Sequence, residues 1–315
     1  MIVDYISKRK SILLFAVVIM VITTIPYVIG YANENDSWSY TGFVIAVEDG
    51  NSYIAKMLAG ASGKWLFKTP YSAIDQKGVI AFLPYILLGK LTGGEARHEQ
   101  LVAIYHGFRF IGGILYILAG YDFISLFIRS RKWRWWAVVF YTLGGGGGWI
   151  LVILGQKDLL GSLPLDFISP ESFGFLGILN FPHLAAGRAF MLWALSTYLN
   201  RGSGYLAGLY LLILGFLQPI YVGVAWGVLI SHLVICLISI KVHKGSEGNG
   251  TLLLIKDDVK NLMKIILVSS PLFIYTAAAF LSDPFLQKWS EQNRLPSPHL
   301  VHYLIAYGIY LPVAV

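Results

Sequence analysis

Charge is what this sequence has least of. Only 13% of its 315 residues are Asp, Glu, Lys or Arg, against about 25% in an ordinary soluble domain. With 56% hydrophobic residues and a mean hydropathy of +0.65, that scarcity excludes the soluble globular class and predicts an all-α, polytopic transmembrane bundle. Cysteine is almost missing. Cys236 stands alone inside an apolar run, which excludes an internal disulfide and a cysteine zinc site and leaves it as a small core residue. A basic stripe is missing too. The net charge is +7, but the Lys and Arg residues are scattered between apolar runs. They read as positive-inside loops, and nucleic acid is not expected as a partner. Present in quantity are nine Trp, 19 Tyr, 18 Phe and 33 Gly. Trp and Tyr anchor helices at bilayer surfaces, and small residues let spans pack closely.

A span needs about 20 apolar residues, and the sequence predicts about eight in one domain, residues 1–315. Span 1 runs from Ser11 to about Gly30 behind Lys8, Arg9 and Lys10. Its length exceeds the roughly 7–15 residues of a signal-peptide core, which makes it a retained anchor. A long outer loop, 31–98, follows, and its "GVIAFLPYILLGKL" (78–91) is too short to cross and reads as an interfacial helix. Span 2 covers about 100–128, span 3 135–155 and span 4 181–199, with a second outer loop at 156–180. Spans 5 and 6 occupy 204–217 and 219–240, hinged at "QP" (218–219); the hydrophilic loop 241–263 contains "HKGSEGNG". Span 7 covers 264–281, and span 8 begins near Val301. The chain stops inside span 8 at "YLPVAV", which predicts a longer parent polypeptide.

Thirteen of the 24 Lys and Arg fall in loops this layout puts inside, and nine fall outside. That bias places the amino terminus in the cytoplasm of a bacterial or archaeal plasma membrane. Twelve of the 17 acids fall outside, and acids contribute little to orientation, so the outer loops are where a site is expected.

Glu48 and Asp49 lie side by side in "FVIAVEDGNSY", and Asp166 and Glu171 lie in "LPLDFISPESFGF" of the second outer loop. Any one of these reads most simply as a solvated loop acid. The adjacent pair differs: two carboxylates beside apolar residues repel each other and resist desolvation, which raises one pKa and marks a site. Such a carboxylate can take a proton from a hydroxyl, and Asp49, Asp166 and Glu171 have the oxygen chemistry of a Mg or Mn site. His106 and Arg109 fall in the outer half of span 2, His183 and Arg188 in the outer half of span 4. Charge inside a bilayer costs at least about 2.5 kcal/mol, so these residues are expected to meet a lipid phosphate, which Arg grips bidentately; the plainer alternatives are that the arginines pair with an acid such as Asp122 or snorkel outward, and that His183 caps a helix start after Pro182. Tyr53 and Trp65 are expected as substrate contacts, Trp65 by stacking on a sugar or simply as an interfacial anchor. "GGGGG" (144–148) implies close backbone approach or an unwound helix, and no "GK[ST]" follows to make it a phosphate loop. The sequons "NDS" (35–37) and "NGT" (249–251) are frequent by chance.

In its order of parts the sequence resembles the C-type (GT-C) multi-span glycosyltransferases, in their protein mannosyltransferase and aminoarabinose transferase branch. The parts are a basic amino terminus, a first span, the acidic pair of "VEDGNSYIAKMLAGASGKW", interfacial helices at "FLPYILLGKLTG" and a span ending in the basic loop "RSRKWR". The likeness covers residues 1 to roughly 240 in layout and is specific only at Glu48–Asp49. It implies a polyprenyl-phosphate sugar as donor, with Asp49 activating the acceptor and Glu48 supporting it. The chain has fewer spans than such proteins usually have and no soluble carboxy-terminal domain. The expectation is glycosyl transfer at the outer face, with Arg109, Arg188, His106 and His183 on the lipid phosphate and Asp166 and Glu171 shaping the sugar pocket. A transporter or flippase would instead set its charges at the midplane on broken helices. A non-catalytic lipid-binding subunit would be indifferent to Asp49→Asn.

Overall fold

The apolar run near the start of the chain folds as two helices in line, α1 (Lys10–Ile22) and α2 (Ile25–Ala32). Pro26 forces the break, since it has no N–H to continue the ladder. The Thr24 N–H turns to the Val21 carbonyl, and the hydroxyls of Thr23 and Thr24 donate to the Met20 carbonyl at 3.0 and 2.7 Å. The architecture comes from a computed structural model, which describes residues 9–156, 158–242, 250–294 and 296–308. Among the described residues there are helices and two isolated bridges but no strand. Lys8 of the basic amino terminus, most of "HKGSEGNG" with the Asn249 sequon, and the terminal "YLPVAV" lie outside the described residues.

Within the long loop 31–98, α3 (Val47–Ala61) and α4 (Leu83–Lys90) pack as a pair. Glycine sets their separation. A Cβ on Gly60 would lie 1.9 Å from the Ile86 carbonyl oxygen, and one on Gly89 would lie 1.7 Å from that of Met57. Each helix therefore presses its backbone on the other where neither has a side chain. Both start from a left-handed residue that is not glycine, Ala46 (φ 47°) and Phe82 (φ 50°), a conformation that costs about 1–2 kcal/mol. Helix α4 covers only part of the apolar stretch 78–91; Val79 pairs instead with Phe67.

The 30-residue α5 (His98–Phe127) follows. The expected third span is split into α6 (Arg131–Leu143) and a six-residue α7 (Gly148–Ile153). Between them the chain leaves the helix so that its glycines can meet other backbone. A Cβ on Gly146 would sit 2.6 Å from the Ala306 carbonyl, and the Gly147 N–H donates to Ile305 O at 3.0 Å. The second loop folds as α8 (Leu165–Ile168) and α9 (Gly174–Asn180). Then come α10 (Pro182–Leu199), α11 (Gly204–Leu217), α12 (Pro219–Val242), α13 (Gly250–Ser282), α14 (Pro284–Gln292) and α15 (Leu300–Tyr307).

Among the described residues four segments are long and apolar enough to cross a bilayer: Lys10–Ala32, His98–Phe127, Pro219–Ser239 and Lys256–Ser282. These match expected spans 1, 2, 6 and 7. The other four expected spans correspond to shorter or interrupted helices among the described residues. Helix α10 has 18 residues, α11 has 14 and α15 has 8, and the glycine run interrupts α6–α7. Helix α10 is the hub, packed between α5 and α11, and α11 lies against α13. The main core joins α3, α4, α5, α10, α11, α12 and α13 around Tyr53, Tyr85, Tyr105, Leu184 and Leu211.

A tyrosine-lined candidate active site

Asp49 is the third residue of α3, and Glu48 the second. Carboxylates there face the positive end of the helix dipole, which is a local reason for the acidic pair. Both are exposed. The apolar atoms beneath Asp49 nevertheless strip enough water from it to hold its carboxyl above the ordinary carboxylate range; Lys56 opposes that shift and Glu48 adds to it. Helical spacing puts Asp49, Tyr53 and Lys56 on one stripe of α3, and this stripe turns inward.

Lys56 is buried. Its Nζ donates to Ser52 Oγ at 2.5 Å and to Ser52 O at 3.3 Å. It lies 4.3 Å from the ring centre of Phe82, 5.1 Å from that of Tyr53 and 5.6 Å from that of Phe67. The aromatic faces offset part of its lost hydration. Burial pushes its pKa down to about 8, against the pull of Asp49. Sequence reasoning passed over Lys56. The signal was available: it is seven residues after Asp49 and is the one cation among the inward positions of this helix.

Three tyrosines stand beside it with nearly parallel rings. Tyr53 and Tyr85 stack at 4.4 Å and 13°, and Tyr105 lies 6.1 and 6.0 Å from them. The Tyr85 hydroxyl shares a 2.6 Å hydrogen bond with His183 Nδ1. Burial raises the phenol pKa of both Tyr53 and Tyr85, so both are neutral hydrogen-bonding groups at any physiological pH. His183 is the second residue of α10, set there by Pro182, which is tolerated in a first helical turn. The positive charges of Lys56 and Arg188 both reach it.

Arg188, one and a half turns along α10, is buried. Its Nη2 donates to the Pro170 carbonyl and its Nη1 makes no hydrogen bond of ordinary geometry, although the Tyr221 hydroxyl is within its electrostatic reach. Tyr221 donates to the Glu171 carbonyl at 3.3 Å. The loop 170–171 is thus held between α10 and α12, and the charge of Glu171 is felt at Tyr53. Asp49, Tyr53, Lys56, Glu171, His183 and Arg188 therefore converge.

Four expected site residues lie elsewhere. Arg109 is 1% exposed, on the far side of Tyr105. All three guanidinium nitrogens are engaged: with His106 Nδ1 at 3.1 Å, Thr23 Oγ1 at 3.0 Å, Ile178 O at 3.3 Å and Thr24 Oγ1 at 2.7 Å. It is also 4.7 Å above the Tyr27 ring. In the structure Arg109 ties the α1–α2 break to α5 and α9. His106 belongs to the same tie, donating to Gly42 O at 2.9 Å. Asp166 accepts from the Gly148 N–H at 3.1 Å, at the glycine break rather than at Asp49. Trp65 lies beyond the other end of α3, roughly 18 Å of helix from Asp49, under the Lys90 ammonium at 4.1 Å. Among the described residues no three of His, Cys, Asp or Glu gather as a metal site, so Asp49, Asp166 and Glu171 do not form the expected ligand set.

Beside the cluster lies an apolar cavity of about 390 Å³, bounded by α4, the α11–α12 hinge and α13. Phe82, His183, Gln218, Leu272, Phe273 and Phe280 line it. Two of these walls also face the polar cluster: Phe82 carries Lys56 on its ring, and His183 bonds to Tyr85. The volume falls within the roughly 300–1,000 Å³ of small-molecule pockets. An apolar chain lying in it would bring its polar end to His183 and Lys56. Comparison with known proteins finds no match: no family model, curated protein or solved structure is similar to this chain.

Proposed function

We propose that this chain is a membrane glycosyltransferase that moves a sugar from a polyprenyl-phosphate donor to a hydroxyl acceptor at the outer face. The observation that carries this reading is the junction of the apolar cavity with the carboxylate–lysine stripe of α3 through Phe82 and His183. The isoprenoid chain lies in the cavity. The phosphate meets Lys56 and the field of Arg188, and the sugar extends towards Asp49. In the transfer step the acceptor oxygen attacks the anomeric carbon, with inversion. The carbon–oxygen bond to phosphate breaks and its electron pair leaves on the phosphate. The acceptor proton passes to the Asp49 carboxylate, while Lys56 stabilises the charge gathering on the phosphate. The remaining parts of the proposal are the eight-span layout, a cytoplasmic amino terminus and a bacterial or archaeal plasma membrane.

Purified protein in liposomes, given a synthetic polyprenyl-phosphate sugar and an alcohol acceptor, tests the reading. Asp49→Asn should lose transfer by at least about 100-fold, the lower range for a general base, with its melting temperature kept. Full activity in that variant removes the base assignment. A lipid carrier is the second reading, favoured by the "QP" break that lines the same cavity. It is distinguished by lipid translocation that survives Asp49→Asn and needs no sugar.

A further inference from the structure

At the end of the bundle opposite Asp49 lies a second cavity, of about 380 Å³. It is enclosed by the start of α1 and the last turns of α5 and α10, with Tyr210 of α11 closing one side. Asp122 is its deepest charge. One carboxylate oxygen accepts from Arg9 Nε at 2.6 Å and the other from Trp193 Nε1 at 3.2 Å. An ionisable group within a spanning helix marks a functional site by default. Among the described residues this one is paired with Arg9, so the two charges of the lining offset each other.

Its lining points to a different ligand chemistry. The Ser125 hydroxyl donates to its own helix at Asp122 O, 2.7 Å, and the Thr197 hydroxyl donates to Trp193 O at 2.8 Å. With their protons committed, both present lone pairs. Ser196, 8% exposed, has its hydroxyl buried with no hydrogen-bond partner among the described residues, a state that ordinarily costs stability unless a ligand completes it. Trp193 and Tyr210, with ring centres 6.1 Å apart, add an apolar wall. Acceptor oxygens beside aromatic faces, without net charge, suit a neutral molecule rich in hydroxyl donors and C–H edges.

We infer that this cavity binds a polyhydroxyl group, the sugar headgroup of a membrane lipid or a free sugar of the same kind. The inference is independent of the reaction at the Asp49 end. The full chain is placed in phosphatidylcholine nanodiscs containing a few mole per cent of glucosyl diacylglycerol, and the lipid retained on release is counted by native mass spectrometry. Glucosyl lipid should be retained about tenfold over phosphatidylcholine, the effect of one or two hydrogen bonds. Ser196→Val combined with Asn200→Leu, at a second polar residue of the lining, should abolish the preference. Displacement of the lipid by millimolar methyl glucoside identifies a free sugar as the source; failure to displace identifies the lipid headgroup. Equal retention of the two lipids overturns the inference, as does a variant that keeps the preference. If the variant does not fold, fluorotryptophan-labelled wild type decides. Its Trp193 resonance, assigned by Trp193→Phe, must shift on adding glucosyl lipid, and an unmoved resonance overturns the site.

Discussion

Lys56 and Asp49 titrate against each other, and that coupling is measurable. In the proposed reaction Asp49 serves as base only when ionised, so activity should fall as pH drops through its raised pKa. Lys56 holds a phosphate only when protonated, so activity must also fall as pH rises through about 8. The pH profile of kcat/KM should be a bell, since it reports the free enzyme's groups. Lys56→Met should erase the alkaline limb. It should also move the acid limb to higher pH, because Lys56 is the group that pulls the Asp49 pKa down. An acid limb that stays in place in this variant would separate the two residues. Arg109 makes the contrasting case. Arg109→Met should lower the melting temperature through the loss of charge-assisted bonds worth roughly 1.5–3 kcal/mol each, with its effect on KM for the donor small beside that of Lys56→Met.

Helices α3 and α4 hold the site through backbone contact, so a methyl group between them is the sharpest probe. Gly89→Ala would drive a Cβ into the Met57 carbonyl, and overpacking of this kind costs about 1–3 kcal/mol. The expected result is a lower melting midpoint together with reduced transfer, as Lys56 and Tyr85 are pushed apart. Gly107→Ala in α5 meets no atom within 4 Å and should be neutral or stabilising by up to about 1 kcal/mol. Equal effects from the two changes would refute the close-contact account. The glycine run 144–148 follows the same physics with α15 as its partner, which is why an apolar segment long enough to span is not one helix.

Across the whole molecule the charges separate the two ends. Arg9 and Asp122 tie α1 to α5 at one end, while Asp49, Lys56, Glu171 and Arg188 gather at the other. The proposed orientation predicts opposite accessibility of these ends. In a Cys236→Ser background, Asp49→Cys should react with an impermeant maleimide added outside intact cells. Lys132→Cys, in the basic first turn of α6, should react only after the membrane is opened. The reverse pattern would put the proposed chemistry in the cytoplasm and end the outer-face proposal.

Low charge and long apolar runs were enough to determine an all-helical membrane protein, because a backbone in hydrocarbon must satisfy its own hydrogen bonds. The apolar runs 11–30 and 100–128 were legible on that ground. What hydropathy alone does not encode is which helices bury which polar groups. His106 and Arg109 read as ligands for a phosphate because only their cost in a bilayer is visible in the sequence. Thr23, Thr24 and Ile178 O, which absorb that cost, come from distant segments. Lys56 read as an ordinary loop cation until Phe67 and Phe82 closed over it, and Asp166 became a glycine-break cap through the return of 164–166 to Gly148. The sequence therefore determined the class. Tertiary packing alone decided which charges meet, because a buried cation's partners are set by proximity in space and not by separation along the chain.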